Sequence, residues 1–468
     1  MKHLVLIFLA IVGAYSSLQA QSIRFEKDSL THVFVRAWQL KKPVFVLLTA
    51  PPSPAGPSAM LRKSGSESEL FAPAVVALLN KEFLNKELQY GTAEIAAVVR
   101  KYTVSRYPTC LYFGVDGSLL YRSTGSASNE QRYLQDLRAF RQAQADPQNL
   151  SYYHTQFQQG NRSVSFLQQY LDKCQQMGQL VAPDLLDAYV KQLPAHAFDR
   201  AAEVVFVLGH GPVVGSNAYQ LTRRNPRLYD SLYRAWPLAQ RIAINNLMIS
   251  NTMAQAIATK DRKLAMQGAD FARRTWSSNA VRGARAFEDN MLGFYSSTQD
   301  TSNYLRSATS FYERYYMAVS ADSAKKVVAA VQAYRQEQRA SLQRLANPIA
   351  KPAGAKIRAN GTYVVQQRFT IGPPNSFLLE LNNGAKAIYQ TGTRNSQYLQ
   401  QALQWSKRTV NLDPISYNFD MLAHLLYRLR FFSEAEVVQQ QAVAAARQEK
   451  EPVAPYELEL EKIKKRTL

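Results

Sequence analysis

Short apolar runs and helical patterns alternate along residues 23–145. The runs PVFVLLTA and TCLYFGV are bulky and bounded by turn residues, which is typical of buried strands. A hairpin is expected at Asp116-Gly117, because this pair favours a tight turn. The predicted elements, in chain order, are a strand at 43–50, helices at 73–83 and 92–104, a strand at 109–115, a hairpin strand at 117–125 and a closing helix. Together they predict an α/β sandwich.

From residue 146 onward, almost every segment repeats apolar residues at helical spacing. Four segments carry a small residue midway, followed by a bulky or amphipathic stripe, and each follows another helical segment. The predicted pairs are 240–258 with 261–276, 281–297 with 301–316, 376–391 with 395–414, and 417–429 with 431–448. Helix pairs stacked in this way form a solenoid, so the sequence predicts an all-α helical-repeat region.

One region, residues 345–374, interrupts the helical pattern. It is rich in Pro and Gly and contains the β-branched run TYVV, which predicts a loop or a small extended insert at a boundary. The predicted division of the chain is a signal peptide at 1–20, an α/β domain at 21–145, a helical domain at 146–345, a linker or insert at 346–374 and further repeat helices at 375–468.

The first twenty residues have the pattern of a secretory signal peptide. Lys2 and His3 precede an apolar core, and small residues lead to Ala20. The core is too short to span a bilayer, and no later segment is long and apolar enough to do so. We therefore expect an exported chain, periplasmic or secreted, without a transmembrane segment.

The formal charge of +21 is high and would attract anionic partners through the summed field. The basic residues are spread along the chain among acids and glutamines, which favours a solvated basic surface. The densest clusters are Arg223, Arg224 and Arg227, and then Lys462, Lys464, Lys465 and Arg466. Neither has the aromatic platform of a nucleic-acid reader, so no nucleic-acid partner is expected.

The two cysteines, Cys110 and Cys174, leave two interpretations open. Export permits a disulfide between them. Two buried free thiols are favoured, because the residues fall in different predicted domains. The six histidines are scattered, which gives no support to a metal site, and no cofactor is expected.

The stretch FDMLAHLLYRLRFFSEAEVVQQQAV, preceded by NLDP, resembles a tetratricopeptide repeat. Arg430 stands where the pattern prefers Gly, and Gln439 where it prefers an aromatic residue. The resemblance implies a concave face formed by stacked helix pairs; the alternative is ordinary helical core without a ligand groove. The residues on the packing positions of the pattern are Phe419, Leu422, Ala423, Leu426, Phe432, Ala435 and Ala442.

Two stretches, DSLTHVFVRAWQLKKPVFVLLTA and YTVSRYPTCLYFGVDGSLLYRSTG, lie in the order typical of one family. They resemble the thioredoxin-like domains of exported bacterial proteins, in which the first strand ends at Trp-Cys-Gly-Pro-Cys. The matching stretch here is Pro54-Ala55-Gly56-Pro57-Ser58, which lacks both cysteines. Tyr107-Pro108-Thr109 falls at the position of the family's cis-proline, and Gly125 falls at the turn after the hairpin.

Dithiol exchange needs a thiolate at a helix N-terminus and a second thiol that resolves the mixed disulfide. Ala55 has no ionisable atom and Ser58 forms no stable disulfide, so the family's catalysis is excluded at this motif. Cys110 lies in an apolar strand, where a cysteine is usually an inert small hydrophobe. Ser58 as a nucleophile would need a base, and the domain offers only His32, so a helix-capping serine is the better interpretation.

The resemblance implies that the cis-proline loop still holds an extended peptide beside the former active site. The sequence therefore predicts a non-catalytic, exported binding or scaffold protein with protein or peptide partners, preferably acidic ones. The alternatives are a thiol-disulfide oxidoreductase or redox accessory protein, and a protein that binds anionic envelope polymers. The candidate peptide-binding surface consists of Ala55, Gly56, Pro57, Ser58, Tyr107, Pro108 and Thr109, with no catalytic residue and no metal ligand.

Overall fold

The computed structural model describes two compact units of the chain, which divide after Gln255. The division falls within one long helix. The predicted signal peptide at 1–20 lies outside the described residues, and the predicted domain boundaries stay predictions. The residues that the structure describes are 22–49, 69–88, 93–127, 129–346, 356–357, 363–364 and 377–468.

The first unit begins with a mixed sheet and continues with helices. Its strands are β1 (Val44–Leu48), β2 (Leu84–Leu88), β3 (Thr109–Phe113) and β4 (Leu119–Thr124). Its helices are α1 (Leu30–Leu40), α2 (Pro73–Glu82), α3 (Ala93–Lys101), α4 (Glu130–Ala145), α5 (Leu150–Gln158), α6 (Val164–Gln176), α7 (Pro183–Lys191), α8 (Ala201–Gly209), α9 (Asn217–Thr222), α10 (Pro226–Ala235) and α11 (Leu238–Thr259).

The sheet has the strand order β2-β1-β3-β4. β1 is parallel to β2 and antiparallel to β3, and β3 and β4 form the predicted hairpin. Gly117 in the hairpin turn has φ +79°, a conformation that glycine adopts without steric cost. Phe25 adds a single parallel bridge to Asn85 on the outer edge of β2. The predicted α/β class is confirmed for this region.

Alternate residues of β1 face opposite layers of helices. Val44, Val46 and Leu48 belong to a core cluster with side chains of α1 and α3. Phe45 and Leu47 belong to a second cluster with side chains of α2 and α4. All five β1 residues are buried, as a strand covered on both faces requires.

The strand β2 is absent from the sequence-based prediction, because its sequence LNKEL is polar at the centre. Lys86 is nonetheless only 8% exposed, and its ammonium lies within 3.5 Å of the backbone oxygens of Glu26, Lys27 and Asp28. Buried Asn85 donates to the carbonyl oxygen of Leu79 at 3.4 Å. These carbonyls offset the cost of burying polar side chains, and those that bind Lys86 are far away in the chain, so local sequence does not reveal them.

The segment after α6 is joined to the sheet region by hydrogen bonds that involve its backbone groups. The Leu180 amide donates to the Lys101 oxygen at 2.8 Å, and the Thr103 hydroxyl donates to the Gly178 oxygen at 2.7 Å. The Arg122 guanidinium on β4 donates to the Met177 oxygen at 3.3 Å. The segment that follows α6 is therefore held against the α/β layers by hydrogen bonds.

The second unit is almost entirely helical. Its helices are α12 (Arg262–Arg274), α13 (Ala280–Ser297), α14 (Thr301–Tyr312), a π-helical turn (Glu313–Met317), α15 (Ala321–Ala346), α16 (Phe377–Gln390), α17 (Ser396–Leu412), α18 (Ser416–Arg428), α19 (Phe432–Glu449) and α20 (Ala454–Lys464). Within the predicted insert at 346–374, which lies mostly outside the described residues, β5 (Lys356–Ile357) and β6 (Tyr363–Val364) pair antiparallel.

Most sequential neighbours pack together in this unit: α12 against α13, α13 against α14, and each helix from α16 to α19 against the next. α15 packs instead against α17, and α14 also packs against α16. The predicted helices match the observed ones within a few residues. The helical class is therefore confirmed, while the repeat assignment stays a prediction. Among the described residues, no helix combines the length and apolar character needed to cross a bilayer.

An aromatic cluster joins α14 to α17. Trp405 is fully buried, donates from Nε1 to a Glu313 carboxylate oxygen at 2.7 Å, and lies 4.9 Å from the Tyr312 ring. Gly384 on α16 faces the same ring, and a Cβ at this position would lie 2.5 Å from Tyr312 Cζ. Residue 384 is therefore a glycine because the Tyr312 ring leaves no room for a side chain there.

A nearly buried ion pair fixes α15 to the end of α17. Arg335 makes two hydrogen bonds of 2.7 Å to the two carboxylate oxygens of Asp413, and the two side chains are 12% and 6% exposed. Asp413 is the residue of the NLDP sequence that caps α17, and its backbone oxygen accepts from Asn418 Nδ2 at 2.8 Å.

Of the two departures from the predicted tetratricopeptide pattern, Gln439 has a physical explanation, whereas Arg430 keeps the backbone conformation that suits glycine. Arg430 has φ +69°, the left-handed conformation for which the pattern's glycine is suited. Gln439 is fully buried, and its amide donates to an Asp420 carboxylate oxygen at 2.9 Å and to the Tyr456 carbonyl at 3.2 Å. Among the predicted packing residues, Phe419 and Phe432 are half-buried, and the buried ones are Leu422, Ala423, Leu426, Ala435 and Ala442.

Candidate functional site

The loop before β3 carries three of the predicted site residues. The Tyr107–Pro108 peptide bond is cis, and both residues are half-buried. The Pro108 carbonyl accepts from the Gly125 amide at 2.8 Å, which ties the loop to the end of the hairpin. Thr109 is fully buried, and its hydroxyl donates to the Arg106 oxygen at 2.6 Å. Thr109 therefore contributes no atom to an exposed surface.

The sheet register places this loop beside the end of β1. Leu48, the last residue of β1, is the antiparallel partner of Thr109. The chain therefore leaves the sheet next to Pro108 as it enters the PAGPS stretch. That stretch, with the predicted site residues Ala55, Gly56, Pro57 and Ser58, lies outside the described residues.

Neither cysteine is placed for thiol chemistry. Both are free and buried, which confirms the favoured interpretation and excludes a bridge between Cys110 and Cys174. Burial raises the pKa of Cys110 to about 12, and the negative charge of Asp136 adds to this effect. Burial also raises the pKa of Cys174 to about 12. At neutral pH both sulfurs are therefore held as thiols, the form that does not attack a disulfide.

A buried carboxylate beside Cys110 was not found from the sequence. Asp136 on α4 is 2% exposed and accepts from the Ser123 hydroxyl at 2.7 Å and the Tyr121 hydroxyl at 2.9 Å, both on β4. Arg132 lies one turn earlier on α4, with Nε 3.3 Å from the carboxylate. Because every partner belongs to α4 or β4, the network holds the helix against the sheet. The spacing of Arg132 and Asp136 in the sequence was the available signal.

A buried histidine occupies the turn after α8, where a helix-to-helix turn was predicted and is observed. His210 is 3% exposed, and its Nδ1 donates to the Phe206 carbonyl at 2.8 Å. Its Nε2 lies 3.5 Å from a carboxylate oxygen of Asp172. Burial lowers the pKa of His210, and this effect outweighs the opposing effects of the carbonyl and the carboxylate.

The described residues contain no group of three or more His, Cys, Asp or Glu side chains placed to hold a metal ion. No protein-family model matches the chain, and a search of the curated proteins found no match.

Proposed function

We propose that this chain is a non-catalytic binding protein, in which a thioredoxin-like domain without the Cys-x-x-Cys motif recognises an extended peptide. The observation that carries the proposal is the position of Tyr107 and Pro108, directly before β3 and beside the end of β1. The mixed sheet with helices on both faces supports a thioredoxin-like assignment.

The chemistry of the site favours binding over catalysis. Ala55 and Ser58 supply no sulfur, and Cys110 faces the core with a pKa raised to about 12. A disulfide exchange reaction needs an accessible thiolate, and Cys110 is only 3% exposed. These facts argue against the thiol-disulfide oxidoreductase as the alternative function.

The helical second unit is proposed to act as a scaffold, in which stacked helix pairs offer an extended surface to a partner. The proposed partner is a protein or peptide of acidic character, because the chain carries a formal charge of +21. The pattern at 1–20 supports export, so the partner is expected in the periplasm or outside the cell.

A panel of synthetic peptides, acidic and basic at matched length, tests the proposed site. Arg106 is exposed directly before the loop, so Arg106→Glu should weaken acidic-peptide binding without disturbing the core. Arg138→Glu, an exposed position on α4, is the matched control. Equal binding by wild type and both variants would exclude the loop as the site.

An insulin-reduction assay tests the absence of catalysis. No thiol-dependent turnover is expected from the purified chain. Turnover that disappears in Cys110→Ser would overturn the proposal in favour of an oxidoreductase.

A further inference from the structure

A short basic segment of the first unit has an unusual charge balance. Residues 223–242 contain five arginines and a single acid, Asp230. In the part of the chain that the structure describes, none of these arginines forms an ion pair. Arg224, Arg227 and Arg234 are exposed. The segment therefore presents positive charge that the first unit itself does not neutralise.

The helix in this segment, α10, is amphipathic but contains no fully buried side chain. Its apolar residues Leu228, Tyr229, Leu232 and Tyr233 recur at helical spacing and are each half-buried. The rings of Tyr229 and Tyr233 stack at 5.2 Å. Packing against the rest of the unit thus covers the apolar side of α10 only in part.

The guanidinium that precedes α10 is held in a fixed position. Arg223 lies between two tyrosine rings, 4.4 Å from the Tyr219 centroid and 4.3 Å from the Tyr229 centroid. It also donates to the Tyr229 hydroxyl at 3.0 Å. Such cation–π contacts order the start of the helix.

Apolar side chains are exposed where α10 passes into α11. Leu238 is 63% exposed and Ile242 is 49% exposed. They are one helical turn apart and so share a face of α11. Trp236, two residues before Leu238, is half-buried. We use the name arginine patch for Arg224, Arg227, Arg234, Leu238 and Ile242.

We propose that the arginine patch binds the surface of an anionic phospholipid bilayer. Exposed arginines close in sequence to exposed Leu and Ile side chains are a combination that suits a membrane interface, with the cations at the headgroups and the apolar side chains inserted. A stable protein interface needs roughly 1,000 Å² of buried surface around an apolar centre, which two separate aliphatic side chains do not provide. The chemistry therefore favours lipid over an acidic protein.

Vesicle co-sedimentation of the full chain tests this proposal. Vesicles of phosphatidylcholine with 30% phosphatidylglycerol, about a third of the lipid carrying charge, should bind the protein, and pure phosphatidylcholine should not. Each basic residue near such a surface contributes about fivefold in affinity, so the variant R224Q/R227Q/R234Q should bind roughly a hundredfold more weakly. Raising the salt should weaken wild-type binding without abolishing it, because salt screens the arginines but not the inserted apolar side chains.

The matched control is R138Q/R306Q/R394Q, which removes the same charge at three exposed arginines elsewhere. It should keep most of the binding. Equal losses in both triple variants would overturn the proposal, because they would reflect net charge alone. Binding to soluble polyglutamate but not to anionic vesicles would also overturn it.

The apolar pair supplies an independent measurement. L238Q/I242Q keeps every charge and should weaken vesicle binding at high salt more than at low salt, since the remaining attraction is then electrostatic. Unchanged binding at both salt concentrations would contradict insertion of these side chains.

Discussion

The thiols Cys110 and Cys174 are predicted to react with Ellman's reagent far more slowly in the folded chain than in the unfolded chain. The pKa of each rises from the ordinary 9.0 to about 12 on burial. The reactive thiolate is then about a thousandfold less populated at neutral pH. A thiolate of higher pKa is a better nucleophile, which raises its reaction rate about twentyfold and offsets part of this loss. The remaining factor is about fiftyfold, before any steric protection is counted.

Steric protection adds to this factor, because Cys110 and Cys174 are only 3% and 2% exposed. Poor access of the reagent to either sulfur slows the reaction of the folded chain further. Both effects act in the same direction, and the folded chain should show two slow thiols.

The assay uses Cys110→Ala and Cys174→Ala, each of which leaves one thiol to report. Rates are measured in buffer and in denaturant, with a small model thiol in both solutions to correct for the solvent. A folded-state rate within tenfold of the unfolded-state rate for Cys110 would refute the reasoning and revive a redox role for that residue.

Three further predictions concern stability. Arg335→Met leaves the Asp413 carboxylate buried and unpaired, so it should lower the free energy of unfolding by about 3–5 kcal/mol. Urea unfolding followed by the fluorescence of Trp405 measures this change. The double variant Arg335→Met with Asp413→Leu should recover most of the loss, and an equally unstable double variant would contradict the reasoning. Gly384→Ala should lower the free energy of unfolding by about 1–3 kcal/mol, because its Cβ would clash with the Tyr312 ring. The control Gly293→Ala has open space around it and should be neutral or stabilising by up to about 1 kcal/mol. Equal unfolding midpoints for the two variants would exclude the close packing of residue 384 against Tyr312. Burial lowers the pKa of His210, so the unfolded chain takes up the proton at a higher pH than the folded chain. The free energy of unfolding should therefore fall as the pH drops through 6.5. If His210→Gln shows the same dependence of stability on pH as the wild type, other groups cause that dependence.

Periodicity predicted the paired helices well, because most of them bury an apolar stripe against a neighbour in the chain. The pairs around 301–316 and 417–429 were located within a few residues by this pattern alone. Local sequence was also sufficient for the hairpin, since Asp116-Gly117 determines the turn.

Elements that depend on distant partners were missed. β2 contains the buried polar residue Lys86, and its burial depends on backbone oxygens of residues 26–28, far away in the chain. Asp136 likewise finds its partners on β4. Of the candidate site, the place of Pro108 directly before β3 could be predicted from the motif, whereas the burial of Thr109 follows from its place at the start of β3, opposite Leu48.

The hydrogen bonds between the sheet region and the segment after α6 have a consequence for protein engineering. A fragment that ends at residue 145 would expose the Lys101 carbonyl, the Thr103 hydroxyl and part of the Arg122 guanidinium, each of which now has a partner at 177–180. It would also uncover apolar side chains beside them. An expression fragment or a domain graft of the sheet region should therefore extend beyond α6 to at least Leu180.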